Sequence, residues 1–211
     1  MSAAAAPPAP AARHGLTWLW AGVAALGAVA ALLALPRGSR PREPVPVLGA
    51  LPDFSLVERG GSSLTRDSLR GRVWVADFIF TRCGGTCPSM TGRLRRLRRE
   101  VPAEVRFLSL TVDPAHDTPA VLARHAQGVG AGPDWLWATG EKEAVYRLAT
   151  DGFMLAAQEN PAEAPAGDGP FLHSAKFVLL DGQARIRGYY DSGDEQALRA
   201  LSRDAERLLR E

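Results

Sequence analysis

The sequence predicts an α/β domain in which a central sheet is covered by helices. Three observations carry this. Apolar strand-like runs alternate with amphipathic helical runs from residue 51 onward. A long hairpin pattern follows near the carboxyl end. One more amphipathic helix closes the 211-residue chain. Alternation of this kind packs helices against a sheet.

The elements follow in order. LPDFSLVERGGSSL reads as a strand, a Gly-Gly turn and a second strand. VWVADFIF (73–80) is a strongly apolar run, the pattern of a buried strand. PSMTGRLRRLRREV (88–101) is a helix with Met90, Leu94, Leu97 and Val101 on one face and arginines opposite. VRFLSLTV (105–112) is the next strand. Thr118 and Pro119 read as N-cap and first helical residue of a helix reaching Gln127. WLWAT (135–139) is a short strand and EKEAVYRLAT (141–150) a helix. AQENPAEAPAGDGP (157–170) is a polar insertion without periodicity. SAKFVLLDGQARIRGYY (174–190) is a hairpin, its tight turn assigned to Asp181-Gly182. DEQALRALSRDAERLLR is the closing helix.

The amino-terminal part is of another kind. Residues 1–15 are rich in Ala and Pro and read as disordered. LTWLWAGVAALGAVAALLAL (16–35) is a charge-free apolar run. At helical rise it spans about 30 Å, the hydrocarbon thickness of a bilayer. It exceeds a signal-peptide core and lacks an A-x-A site, so an uncleaved anchor is expected. Residues 36–50, with four prolines, read as an extended tether to a domain over 51–211. The charge flanks, Arg13 before the span against Arg37, Arg40 and Arg42 after it, place the domain in the cytoplasm by the positive-inside rule.

Composition excludes several classes. A formal net charge of +2 gives no electrostatic footprint for nucleic acid. Two cysteines cannot build a disulfide framework, nor a four-cysteine zinc or iron–sulfur site within one chain.

Both cysteines stand in TRCGGTCP (81–88), between the 73–80 strand and the following helix. Such a pair fits a redox disulfide, part of a metal site, or a peroxide-reacting thiol. A helix N-terminus stabilises thiolate, so acidified thiols are expected. Gly84 and Gly85 let the loop curl so that both sulfurs face one point.

DFIFTRCGGTCP, TVDPAHDTP and FLHSAKFVLLDG, in this order, resemble the Sco/SenC family over about residues 45–210. The resemblance implies a thioredoxin-like sandwich with a central mixed sheet behind one transmembrane helix. It implies copper as cargo, held by Cys83, Cys87 and His173, and a role in maturing the CuA site of cytochrome c oxidase. The oxidase subunit that bears CuA and an upstream copper donor are the implied partners. The implied location is the periplasmic face of the inner membrane, against the arginine count. A thiol–disulfide reductase acting through Cys83 and Cys87 on the CuA cysteines is the alternative the resemblance allows. Two thiolates and one imidazole suit Cu(I) and accept Cu(II). His173 follows the polar insertion and so is expected to approach or leave the metal. The sequence departs from many members where Gly84, Gly85 and Thr86 replace an acidic residue before the second cysteine.

Peroxiredoxins carry PxxxTxxC, but Ala76 and Phe80 stand where Pro and Thr are required. Asp77 interrupts the apolar strand, and thioredoxins resemble it in placing DF at the same distance before the first motif cysteine. Burial there raises its pKa and fits a role in moving protons for the thiols. Asp113 and Asp117 read as turn and capping residues. His116 lies in their loop, and His125 on a helix surface. The arginines at 93, 95, 96, 98 and 99 read as a solvated face, with an acidic partner as the second reading.

Overall fold

A computed structural model of the chain describes residue 26, residues 43–159 and residues 171–211. The chain divides into two units, Met1–Pro44 and Val45–Glu211. The expected disordered segment 1–15 and, save Leu26, the membrane span at 16–35 lie outside the described residues. Among those residues no helix is long and apolar enough to cross a membrane.

The second unit is built on one mixed sheet. Its strands are β1 (Gly49–Ala50), β2 (Ser55–Glu58), β3 (Ser63–Thr65), β4 (Trp74–Ile79), β5 (Arg106–Thr111), β6 (Trp135–Thr139), β9 (Lys176–Leu180) and β10 (Arg185–Asp191). They lie in the order β1-β10-β9-β4-β5-β6-β2-β3. Strands β4, β5 and β6 are parallel neighbours, with Asp77 opposite Ser109 and Ser109 opposite Trp137. The flanking pairs, β9 on β4 and β2 on β6, are antiparallel. Every residue of β4 is buried, Asp77 included, as an apolar run broken by that single carboxylate predicts. A separate two-stranded ribbon joins β7 (Ala157–Glu159) to β8 (Phe171–His173).

Four helices accompany the sheet: α1 (Thr86–Glu100), α2 (Pro119–Gly128), α3 (Lys142–Arg147) and α4 (Glu195–Leu208). Helix α1 buries Met90, Leu94 and Leu97, the stripe its periodicity predicts. Thr118 caps α2 by accepting a hydrogen bond from the Val121 amide, and Asp194 caps α4 by accepting from Gln196. Helix α4 packs on β10 and meets α1. Trp135, Trp137, Phe78, Phe107 and Phe177 are among the largest fully buried side chains. Truncating one core leucine such as Leu108 to alanine is expected to cost about 2–5 kcal/mol.

Several boundaries differ from the sequence reading, each for a physical reason. The tether expected over 36–50 overlaps the folded unit: Val45 is 3% exposed and Gly49–Ala50 pairs with β10. Arg187 holds this segment, since its buried guanidinium donates to the carbonyls of Val45 and Pro46. The 157–170 insertion opens with β7, whose pairing to β8 runs Ala157 to His173. The α3 helix stops at Arg147 and a π-helical turn, Leu148–Gly152, replaces its end. The β9–β10 connection holds four residues, Asp181 to Ala184, rather than a two-residue turn. Ala184 donates to the Asp181 carbonyl and takes the left-handed conformation (φ 57°). The Asp181 carboxylate accepts from the amides of Gln183 and Arg185, which fixes the loop.

Candidate metal centre

Strand β4 delivers the chain to the site, and α1 begins there. The helix starts at Thr86, two residues before the sequence reading, so Cys87 lies in its first turn and is 5% exposed. Cys83 stands in the preceding loop and is more open. The Cys87 amide donates to the Cys83 sulfur at 3.4 Å, so the loop folds back on the helix start.

His173 arrives from β8. Its Nε2 is 3.0 Å from the Sγ of Cys87. Its Nδ1 lies 3.2 Å from the Ser174 carbonyl oxygen. A carbonyl only accepts, so Nδ1 carries the proton and Nε2 turns a lone pair toward the sulfurs. Phe80 meets the imidazole edge-on with ring centroids 5.8 Å apart. The donor atoms of Cys83, Cys87 and His173 all lie within 4.8 Å of one another. The ribbon pairing means that His173 sits on a strand, not on a free loop end.

The electrostatics correct one expectation. Burial, reinforced by the adjacent Cys83 sulfur, pushes the Cys87 thiol well above the ordinary cysteine range, opposite to the acidified thiol expected from the helix start. A sulfur this enclosed loses more from desolvation than the helix amides return. Burial also lowers the pKa of His173, against the opposing Ser174 contact. Both shifts disfavour a thiolate–imidazolium pair between Cys87 and His173, so a metal bound here takes the place of the Cys87 thiol proton.

The DPAHDTP loop braces the cysteines. Asp117 is fully buried, and its carboxylate accepts from the Thr81 amide at 3.0 Å and from the hydroxyls of Thr81 and Thr111. Asp113, 1% exposed, takes both Nε and a terminal nitrogen of Arg82 at 3.0 and 2.6 Å. The two carboxylates thus grip the two residues before Cys83, beyond the turn and capping roles read from the sequence. His116 is exposed, and no described contact carries it to the sulfurs. Asp77 is buried below the site. Ser109 donates to its Oδ1 at 2.6 Å while accepting from Trp135 Nε1 at 2.9 Å. Its Oδ2 has no partner, and burial raises its pKa to about 7.

Three donors round one first-row metal ion, at bonds of about 2.0–2.3 Å, stand about 3.5–4 Å apart. The separations here match that scale after small adjustments. Two soft sulfurs and an oriented imidazole nitrogen form a set suited to copper.

The SCO1/SenC family model matches residues 48–209. The chain belongs to the SCO1/SenC family. Among SCO1/SenC relatives, the SCO1 protein homolog of Bacillus subtilis is 30% identical over 142 residues, 65% of this chain and 72% of that protein. The structure is similar to BsSco, described as a member of the Sco family of cytochrome c oxidase assembly proteins with a disulfide switch. That match has TM-score 0.63 and 25% identity, covering 77% of this chain and 98% of the other. The fold also matches copper-bound ScoI of Bradyrhizobium japonicum, with TM-score 0.61 and 23% identity over 73% of this chain and 98% of that one. The mixed sheet is thus the thioredoxin-like sandwich expected of this family.

Proposed function

We propose that this chain is a membrane-tethered copper metallochaperone that matures the CuA site of cytochrome c oxidase. The observation that carries the reading is the gathering of Cys83, Cys87 and His173 within 4.8 Å, with Nε2 turned toward sulfur. Copper is the cargo. Two thiolates favour Cu(I), and the imidazole lets the site accept Cu(II). Three protein ligands leave a position through which a ligand of the CuA-bearing subunit enters. Asp113 and Asp117 hold the cysteine loop through Arg82 and Thr81, and Phe80 excludes water beside the imidazole. An upstream donor supplies the ion.

The apolar run 16–35 supports an anchor of the length a bilayer needs. The soluble domain is proposed to face the periplasm or an equivalent outer compartment, where CuA lies, against the positive-inside count. Protease accessibility on oriented membrane vesicles tests this. Protection of the domain in vesicles that expose the outer face contradicts it.

The second reading is a thiol–disulfide reductase, favoured by two free cysteines with the more open one first. The Cys83 thiolate attacks a partner disulfide and forms a mixed disulfide, releasing one partner thiol. Cys87 then displaces the second partner thiol and closes a Cys83–Cys87 disulfide, so two electrons pass to the partner. Copper stoichiometry separates the readings. One copper retained per chain after buffer exchange supports the chaperone, and no retained copper favours the reductase.

A further inference from the structure

Helix α1 carries five arginines, at 93, 95, 96, 98 and 99, and they are not equivalent. Arg93 donates to the Ser192 carbonyl, Arg96 pairs with Glu195 at 2.6 Å, and Arg98 pairs with Asp134. Arg95 and Arg99, one turn apart and exposed, make no ion pair or hydrogen bond among the described residues. Arg95 stands at a groove of about 190 Å³ between α1 and α2. Cys83, Cys87 and Pro88 form part of its wall, Phe80 and Val129 give it apolar surface, and His125 closes it from α2. Burial lowers the pKa of His125, so Arg95 supplies the fixed charge of this lining. Helix α2 contains no acidic residue, and the one acid of α1, Glu100, is paired to Arg96.

The volume falls below the roughly 300 Å³ at which small-molecule sites begin, and suits one or two side chains of a polypeptide. Whatever lodges there touches the sulfurs. We propose that this groove seats an acidic segment of the cysteine-bearing partner protein, with Arg95, and Arg99 one turn on, as the cations that receive its carboxylates. The inference rests on the reading of the chain as one that passes copper or electrons to a protein thiol, and it names the chemistry next to that thiol. Complementary charge of this kind speeds encounter and selects partners.

The test uses the reduced, metal-free full chain and two short peptides. Each carries one cysteine activated as a 2-thiopyridyl disulfide, flanked by glutamates in one peptide and by lysines in the other. A protein thiolate attacks the peptide sulfur, the protein–peptide disulfide forms, and thiopyridine thiolate leaves with the electron pair, to be read by absorbance. The acidic peptide is expected to react about tenfold faster at low salt. The advantage should vanish near about 0.5 M NaCl. Arg95→Glu and the double variant with Arg99→Glu should abolish or invert it, while their reaction with neutral dipyridyl disulfide and their thermal melts report intact sulfurs and fold. Equal rates for the two peptides, or a preference that survives both substitutions, overturns the proposal. So does masking of the groove by phosphatidylglycerol vesicles with no peptide preference, which marks a lipid-facing surface. Copper stoichiometry is read separately, so either result leaves the ligand assignment to its own test.

Discussion

His173 Nε2 lies 3.0 Å from Cys87 Sγ, although the two residues are 86 positions apart in the chain. The ribbon β7–β8 and the bond from Nδ1 to Ser174 hold the imidazole in that pose. A site organised in this way loses little to ordering on binding, so alterations in its supports should show in metal affinity as well as in stability.

Asp117 is the first such support. Asp117→Ala strips the Thr81 amide and two threonine hydroxyls of a buried charged acceptor. Loss of stability of about 2–4 kcal/mol is expected. Copper affinity should fall by about tenfold as the Cys83 loop loosens. Urea unfolding and competition with a Cu(I) chelator measure the two effects. Asp117→Asn, which keeps one acceptor, should lie between.

Asp77 gives a pH signature. Its folded pKa is about 7 against an ordinary value of 3.8, because burial outweighs the Ser109 hydrogen bond. The folded state therefore holds a proton that the unfolded state releases between those values. Stability is favoured by this group below about pH 4 and declines as pH rises toward 7, by at most about 1.4 kcal/mol per pH unit. Asp77→Asn, which mimics the protonated acid, should gain on the wild type as pH rises from 4 to 8. Denaturation midpoints of both proteins across that range check it, and a pH-independent difference contradicts the assignment.

Arg187 ties the start of the folded unit to its end. Arg187 is 4% exposed, and its guanidinium joins Val45, Pro46, Asp181 and Glu211. Arg187→Met leaves Asp181 without one partner and releases β1. A loss of about 3–5 kcal/mol is expected, as for breaking a buried ion pair. Limited proteolysis should then begin near residues 45–50. Lysine should not rescue it, because a compact ammonium with three donors cannot span the four partners that the planar five-donor guanidinium reaches.

Local patterning made much of the fold legible. The apolar run of β4, the spacing of Met90, Leu94 and Leu97, and the Thr118-Pro119 start of α2 each act within one turn or one strand. Motifs and family resemblance pointed to Cys83, Cys87 and His173, which the fold brings within 4.8 Å of one another. What escaped depends on contacts distant in sequence. The grip of Asp117 on Thr81 spans 36 residues, and that of Arg187 on Val45 spans 142. The thiol shift at Cys87 follows from enclosure by the finished fold, which a helix-start argument does not contain. Ala184 takes a left-handed conformation with no glycine to announce it, because Asp181 builds the loop around it.

The central claim is that Cys83, Cys87 and His173 together hold copper. The most direct measurement titrates copper into the wild-type chain and His173→Ala, recording stoichiometry, affinity and thiolate-to-copper absorption. One copper per wild-type chain is predicted, with an altered spectrum and affinity lower by at least about tenfold in the variant. Equal affinity and an identical spectrum in the two proteins would contradict the three-ligand site.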